Sequence, residues 1–302
     1  MNKITNAELK ERLRWSIYQK IDHTLGVIEQ FQNYTNGKCY ISFSGGKDST
    51  VLLHLVRRFY PDTKAMFILT GNEYPEIVRF VRAFKNIDYV RPKITFKEVI
   101  KRYGFPFISK EQAQYIFEAK NTKSEKLREL RLNGRHEKGN QGKVSNKWKF
   151  MINAEFNVTH KCCHFLKKEP ARRYETETGL MPIIGTMAME SSLRKQKYLK
   201  TSCNVLDGEK SASYPLSIWT DEDIWEYIRM FNLDYCPLYD IGYERTGCMV
   251  CGFGYQCDKN RFQKLELIHK KAFDTYMGYT NNGVRFDEAI KFTFEGKNNG
   301  LI

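Results

Sequence analysis

No run of 18 apolar residues occurs in the 302-residue chain, and the opening Met1-Asn2-Lys3-Ile4-Thr5-Asn6 has no apolar signal core. Neither a membrane span nor a secretory leader is therefore expected, and the expected compartment is the cytoplasm. The chain also lacks Gly-x-x-x-x-Gly-Lys-Ser/Thr and Gly-x-Gly-x-x-Gly, so a Walker A loop and a dinucleotide fingerprint are both excluded. No internal repeat is visible. Acidic side chains are the minority, 35 against 49 Lys and Arg, for a net charge of +14. That balance favours an anionic partner, either nucleotide or nucleic acid, although a solvated basic surface would carry the same charge. At this length about three quarters of the unfolded surface can be buried, enough for one core with additions. Eight cysteines in a reducing compartment point away from disulfides and toward metal or redox chemistry.

What is present starts with a short β-type run, Tyr40-Ile41-Ser42-Phe43, that breaks into Ser44-Gly45-Gly46-Lys47-Asp48-Ser49-Thr50 and then a helical pattern. Two glycines let backbone approach an anion, and the helix that follows turns its free N–H groups and positive dipole end to the same point. Lys47 adds a mobile cation, and Ser44, Ser49 and Thr50 add hydroxyls. Asp48 can cap the helix or help hold Mg²⁺. The segment resembles the PP-loop of the adenine nucleotide α-hydrolase-like superfamily, whose members hold the pyrophosphate of ATP and cleave between its α and β phosphates.

Around this loop the pattern alternates. A capping box at Thr5-Asn6-Ala7-Glu8 leads into apolar positions Leu9, Leu13, Ile17, Ile21, Leu25, Ile28 and Phe31, which predict one amphipathic helix. Strands are predicted near 38–43, 65–70 and 88–94, with helices near 48–59, 75–85 and 95–103. The expected fold is α/β, a doubly wound and mainly parallel five-stranded sheet of the PP-loop ATPase, HUP-like type. Its expected parts are an N-terminal helical extension (1–35), a nucleotide-binding domain (36–230) and a Cys-rich helical region (231–302). Ligands in such sheets bind beyond the carboxyl ends of strands, so Thr70, Asn72 and Glu73 in the turn Thr70-Gly71-Asn72-Glu73-Tyr74-Pro75 are candidate nucleotide contacts. Capping the helix opened by Pro75 is the alternative role for Asn72 and Glu73.

Residues 120–149 change character: Lys120, Lys123, Lys126, Arg128, Arg131, Arg135, Lys138, Lys143, Lys147 and Lys149 face only Glu125, Glu129 and Glu137, and Gly134, Gly139 and Gly142 interrupt any regular pattern. An exposed basic insertion is expected, able to clamp nucleic acid by releasing counterions or to remain a solvated loop.

Cys162 and Cys163 are adjacent, and Cys248-Met249-Val250-Cys251 and Cys257 follow in Cys-x2-Cys-x5-Cys spacing. Neighbouring residues seldom serve as two ligands of one tetrahedral zinc, whereas a cubane offers separate iron corners; a zinc site remains the alternative. Cys39, Cys203 and Cys236 read as small buried hydrophobes. The Cys-Cys…Cys-x-x-Cys pattern is similar to the [4Fe–4S] signature of assimilatory adenylyl-sulfate reductases in the phosphoadenosine phosphosulfate (PAPS) reductase family. Further motifs agree in order: Leu166-Lys167-Lys168-Glu169-Pro170, then Gly185-Thr186-Met187 before Glu190-Ser191 and Arg194, then Pro237-Leu238-Tyr239-Asp240-Ile241-Gly242-Tyr243 running into Arg245-Thr246-Gly247-Cys248. The resemblance covers about residues 36 to 257 outside the insertion. It implies Gly185 as a nucleotide contact, Arg194 as a phosphate or sulfate clamp with a surface ion pair as its alternative, and Cys162, Cys163, Cys248, Cys251 and Cys257 as the source of four metal ligands.

Two departures stand against a plain reductase. That family carries a nucleophilic cysteine in a C-terminal tail, and no cysteine follows Cys257 here. The loop is intact, as in ATP sulfurylase small subunits, tRNA thiolases and the PP-loop protein of DNA phosphorothioation. The resemblance thus implies an ATP pyrophosphatase that adenylates an acceptor, DNA or tRNA, for iron–sulfur-dependent sulfur transfer, with a sulfur-donor protein such as a cysteine desulfurase as partner. The rival readings are a reductase of adenylyl sulfate or PAPS, and a non-catalytic nucleotide-binding subunit with a structural metal. A homo-oligomer or a complex subunit is expected.

Overall fold

Two capping boxes, not one, shape the N-terminal segment of the computed structural model. Thr5 caps α1 (Asn6–Leu13) with Glu8 as reciprocal partner, and Ser16 caps α2 (Ile17–Thr35) with Gln19. The single helix expected here is therefore split, because the Ser16 side chain gives the backbone a competing hydrogen bond at the point where α1 would continue. The buried Lys20 closes the break, its Nζ donating to the Leu13 carbonyl (2.9 Å) and to Asp223 (2.5 Å).

The structure describes residues 3–135, 141–255 and 258–295. The chain divides into two units, one built from Met1–Leu69, Glu73–Arg91 and Pro170–Gly247, the other from Thr70–Asn72, Pro92–Glu169 and Cys248–Ile302. In chain order the first unit continues through β1 (Cys39–Ser42), α3 (Lys47–Arg57), β2 (Ala65–Ile68), α4 (Pro75–Arg82) and β3 (Ile87–Val90). The second then contributes α5 (Phe96–Tyr103), α6 (Lys110–Asn121) and α7 (Glu125–Asn133). After α8 (Glu169–Thr178), the first unit resumes with β4 (Met181–Ile184), α9 (Ser192–Thr201), β5 (Asn204–Val205), β6 (Ala212–Ser213) and α10 (Asp221–Met230). The second closes with α11 (Arg261–Ile268), α12 (Lys270–Met277), β7 (Thr280–Asn281), β8 (Val284–Arg285) and α13 (Phe286–Ile290).

In the first unit the strand order is β3-β2-β1-β4-β6-β5. Every pairing is parallel except β5 with β6. The sheet has six strands among the described residues rather than the expected five, because the two-residue β5 is too short to leave a pattern in sequence. β1 lies between β2 and β4, so successive connections leave it in opposite directions and the loop that follows it sits at the topological switch point. Val51, Leu52, Leu55 and Val56 bury the inner face of α3, and Trp219 and Tyr227 add large side chains exposed by less than 2%.

His54 on α3 places Nδ1 2.9 Å from the Tyr227 hydroxyl. Burial, aided by the charge of Arg58, pushes its pKa below the usual histidine value. The unfolded chain then binds more protons, so this histidine costs stability as pH falls through about 6.5 toward its folded value and costs nothing above. We expect the urea midpoint to drop more between pH 7 and pH 5.5 in the native protein than in His54→Gln; equal drops would assign the pH dependence elsewhere.

The second unit is helical around a cluster of Phe105, Phe107, Phe156 and Phe286, with ring centroids 5.1–5.5 Å apart. Segment 120–149 is more regular than expected. It holds the end of α6, all of α7 and a 3₁₀ segment over Asn146–Asn153. Its basic side chains supply part of that order. Lys120 donates to the carbonyls of Ala154 (2.6 Å) and Phe156 (2.8 Å), and Arg131 holds Glu118 (2.6 Å) and the Gly142 carbonyl (2.7 Å). Arg128 pairs with Glu125 at 2.7 Å. Lys123, Lys126, Arg135, Lys147 and Lys149 are exposed, and Lys138 lies outside the described residues.

Candidate nucleotide and thiol sites

The loop after β1 is shaped by two glycines for different reasons. Gly45 has φ +73, and a Cβ there would lie 2.7 Å from Val81 Cγ2 and 2.8 Å from Ile77 Cγ2. It therefore supplies a left-handed turn and room for α4 at once. Gly46 is the N-cap of α3 with no side-chain cap, and a Cβ there would lie 2.8 Å from Thr246 Oγ1. Gly185, just past β4, passes so near the start of α3 that a Cβ would lie 3.2 Å from the Asp48 carbonyl oxygen.

Hydroxyls brace the turn. Ser49 Oγ donates to the Gly46 carbonyl (2.8 Å) and accepts from the Ser44 amide (3.1 Å); Thr50 Oγ1 donates to the same carbonyl at 3.1 Å. Ser44 Oγ accepts from the Gly46 amide at 3.4 Å. The Lys47 amide donates to the Tyr239 hydroxyl at 3.0 Å. Lys47 itself is buried, with Nζ held by Asp48 (2.9 Å) and by Asp221 at the first turn of α10. Burial opposes its charge, yet Asp48 and Asp221 outweigh that and raise its pKa. Asp48 is pushed up by burial, against the pull of Lys47, with Glu190 and Asp221 adding to the rise. Lys47 therefore sits between two carboxylates beside the turn, while Glu190, near enough to act on Asp48, is paired with Arg194.

Arg194 on α9 pairs with Glu190, which lies in the 3₁₀ turn before that helix, and its side chain is 43% exposed. Thr70 and Asn72 belong to the second unit, where Thr70 Oγ1 accepts from the Asn72 amide (3.1 Å) and the Tyr276 hydroxyl lies 3.1 Å from Asn72 Oδ1. Glu73 belongs to the first unit and is half-buried. Neither Asn72 nor Glu73 caps α4, whose N-cap is Tyr74 with Pro75 following. Sequence reasoning missed Asp221, Tyr239 and Thr246 as neighbours of the loop. The first was legible only as a helix start and the other two only as part of a family motif, since what joins them to Lys47 is long-range pairing.

The thiols gather in the second unit. Cys162 is buried and opens the helical run that continues through a π-turn at His164–Lys168 into α8. Burial, then the nearby Cys248, Cys163 and Cys251, push its thiol well above the ordinary value, against the pull of Lys167. The two pairs, so distant in sequence, are thus electrostatic neighbours. The 248–251 turn is fixed by Met249 N–H donating to the Asn72 carbonyl (2.8 Å) and by Arg261 Nη2 donating to the Cys248 carbonyl (2.9 Å). Among the described residues no group of three or more His, Cys, Asp or Glu is disposed to hold a metal ion. Cys257, the fifth expected ligand, lies outside the described residues. An all-thiol set fits iron–sulfur or zinc chemistry, because a bound cation would favour the thiolate form that burial and the neighbouring thiols disfavour at Cys162. Cys39, Cys203 and Cys236 are buried as expected.

A mainly parallel sheet with a Ser-Gly-Gly-Lys-Asp-Ser loop at its switch point defines an α/β protein of the PP-loop type. The sequence profile of the phosphoadenosine phosphosulfate reductase domain matches residues 38–136 and 110–252, and the chain belongs to that family. It is 30% identical over 209 residues to a phosphoadenosine 5'-phosphosulfate reductase of Xylella fastidiosa, covering 68% of this chain and 69% of that one. An uncharacterized protein of Methanocaldococcus jannaschii is 25% identical over 294 residues, covering 89% of this chain; the chain spans 58% of that relative's length. A crystal structure of PAPS reductase from Candida auris in a phosphate complex aligns with TM-score 0.44 and 15% identity, over 82% of this chain and 97% of that one. No helix among the described residues is long and apolar enough to cross a membrane.

Proposed function

We propose that the chain is an ATP pyrophosphatase that adenylates an oxygen of its acceptor as the activating step of sulfur transfer. The observation that carries this reading is the complete loop with buried Lys47 fixed at its mouth between Asp48 and Asp221. In this reading the loop amides and Lys47 neutralise charge that grows on the leaving pyrophosphate, while the α3 dipole points the same way. Asp48 would give Mg²⁺ one hard oxygen ligand, with the phosphates of the nucleotide supplying others. Arg194 would release Glu190 to clamp an anionic group bidentately. An iron–sulfur cluster, supplying electron or sulfur chemistry when bound, would be held by four of Cys162, Cys163, Cys248, Cys251 and Cys257.

The acceptor in this reading is nucleic acid. Exposed Lys123, Lys126, Arg135, Lys147 and Lys149 supply phosphate contacts, and Lys147 lies 5.0 Å over the Trp148 ring. A second reading, reduction of adenylyl sulfate or PAPS to sulfite, is favoured by the name of the 30%-identical relative. Pyrophosphate released from ATP supports the first, and sulfite released from a sulfonucleotide without ATP use would replace it with the second.

The thiol assignment has its own test. Anaerobically purified protein is expected to carry iron with absorption near 400 nm, and Cys162→Ser and Cys251→Ser to lose most of both. Zinc in place of iron, or unchanged iron in both variants, would reject it.

A further inference from the structure

Three backbone donors of the turn are engaged by the chain itself: Ser44 by Ser49, Gly46 by Ser44, and Lys47 by Tyr239. The first two bonds lie within the turn. The third is different in kind, because Tyr239 comes from a 3₁₀ turn at Pro237–Tyr239, far away in sequence. Its hydroxyl also lies 3.3 Å from Thr246 Oγ1. A Cβ on Gly46 would meet Thr246 Oγ1 at 2.8 Å and the Tyr239 hydroxyl at 3.4 Å. Segment 237–246 therefore covers the N-terminal end of α3, the place where a helix presents its unpaired N–H groups to an anion. The Tyr239 ring is flanked by Trp225, edge-on with centroids 5.4 Å apart.

We propose that the Tyr239 hydroxyl stands in for a phosphate oxygen on the Lys47 amide and must leave it before the loop can hold a pyrophosphate group, so that segment 237–246 gates the seat. This rests on the loop being a phosphate site. An N–H has one hydrogen to donate, so a phosphate oxygen and the Tyr239 oxygen compete for it. Thr246 provides a neighbouring partner for the hydroxyl, and Gly46 leaves the room that this cover needs. The ligand recognised is a pyrophosphate, free or within a nucleotide.

Binding of inorganic pyrophosphate to the full chain is measured by titration calorimetry for the native protein, Tyr239→Phe, Thr246→Val and Lys47→Ala. Removing the competing hydroxyl is expected to tighten binding about fivefold in Tyr239→Phe, the equivalent of one neutral hydrogen bond. Unchanged or weaker binding in Tyr239→Phe overturns the gate, since the hydroxyl would then be a bystander or a ligand contact. Trp225 gives an independent reading: pyrophosphate should change the tryptophan emission of the native protein, and Trp225→Phe should abolish that change. Emission that is insensitive to saturating pyrophosphate also overturns the proposal. Thr246→Val, which loosens the hydroxyl without deleting it, should bind at least as tightly as the native protein, and a loss of binding there counts against the gate. Lys47→Ala separates the two layers. Undiminished pyrophosphate binding in that variant rejects the phosphate site itself, whereas a loss there with no gain in Tyr239→Phe rejects only the gate.

Discussion

Lys47→Ala is expected to lower pyrophosphate release from ATP by about a hundredfold or more while leaving the fold intact. The size follows from position. Lys47 Nζ is buried at the amide-lined turn and held by two carboxylates, so its charge acts where water screens it least. Alanine keeps helix propensity at the first position of α3 and removes no core side chain. Its one structural cost is to leave Asp48 and Asp221 without their cation. Asp221 is more than half exposed and Asp48 about a quarter, so both can be rehydrated. Circular dichroism and melting should therefore change little as turnover collapses. Release of pyrophosphate at the native rate would end the catalytic reading of the loop.

The largest expected effect on stability lies in the second unit, at Gly104. It ends α5 with φ +100 and ψ −171, and a Cβ there would overlap the Asn157 carbonyl. That carbonyl accepts the Phe105 amide at 2.8 Å, and the Phe105 carbonyl accepts the Thr159 amide at 2.9 Å, so two segments are stitched at this point. Gly104→Ala imposes both a backbone strain and a collision with backbone, neither of which a rotamer change can relieve. The combined cost is about 3 kcal/mol, and a melting temperature lower by about 6–12 °C is expected. A shift under about 2 °C in calorimetry would mean that residues 104 and 157 separate easily. Because the strain is local to the second unit, tryptophan signals from Trp15, Trp219 and Trp225 in the first unit should persist longer on heating than that of Trp148.

How much of this was legible beforehand depended on range. The strand–turn–helix around Ser44–Thr50 was readable because its signals are local: a β-type run, two glycines, then a 3.6-residue pattern. The start of α10 was readable for the same reason, Thr220 and Asp223 forming a capping box. The split between α1 and α2 was equally local but was overridden in reading by the unbroken apolar spacing across it. Residues 120–149 misled through composition. Lysines and arginines look solvated until the structure shows Lys120 and Arg131 fixing carbonyls 11 to 36 positions away. Asp221 and Tyr239 could not be found by spacing at all, since their partner Lys47 lies 174 and 192 residues away. The juxtaposition of Cys162 with Cys248 and Cys251 was accessible only by family resemblance, which supplies long-range pairing that periodicity does not contain.

The buried Lys20–Asp223 pair ties the amino-terminal helices to the chemistry in a way that no motif suggests. Asp223 also accepts the Thr220 amide at 2.7 Å and stands two positions from Asp221, which grips Lys47. A substitution that loosened α2 at Lys20 would thus be felt at the start of α10, the same turn that carries the Asp221 carboxylate on Lys47.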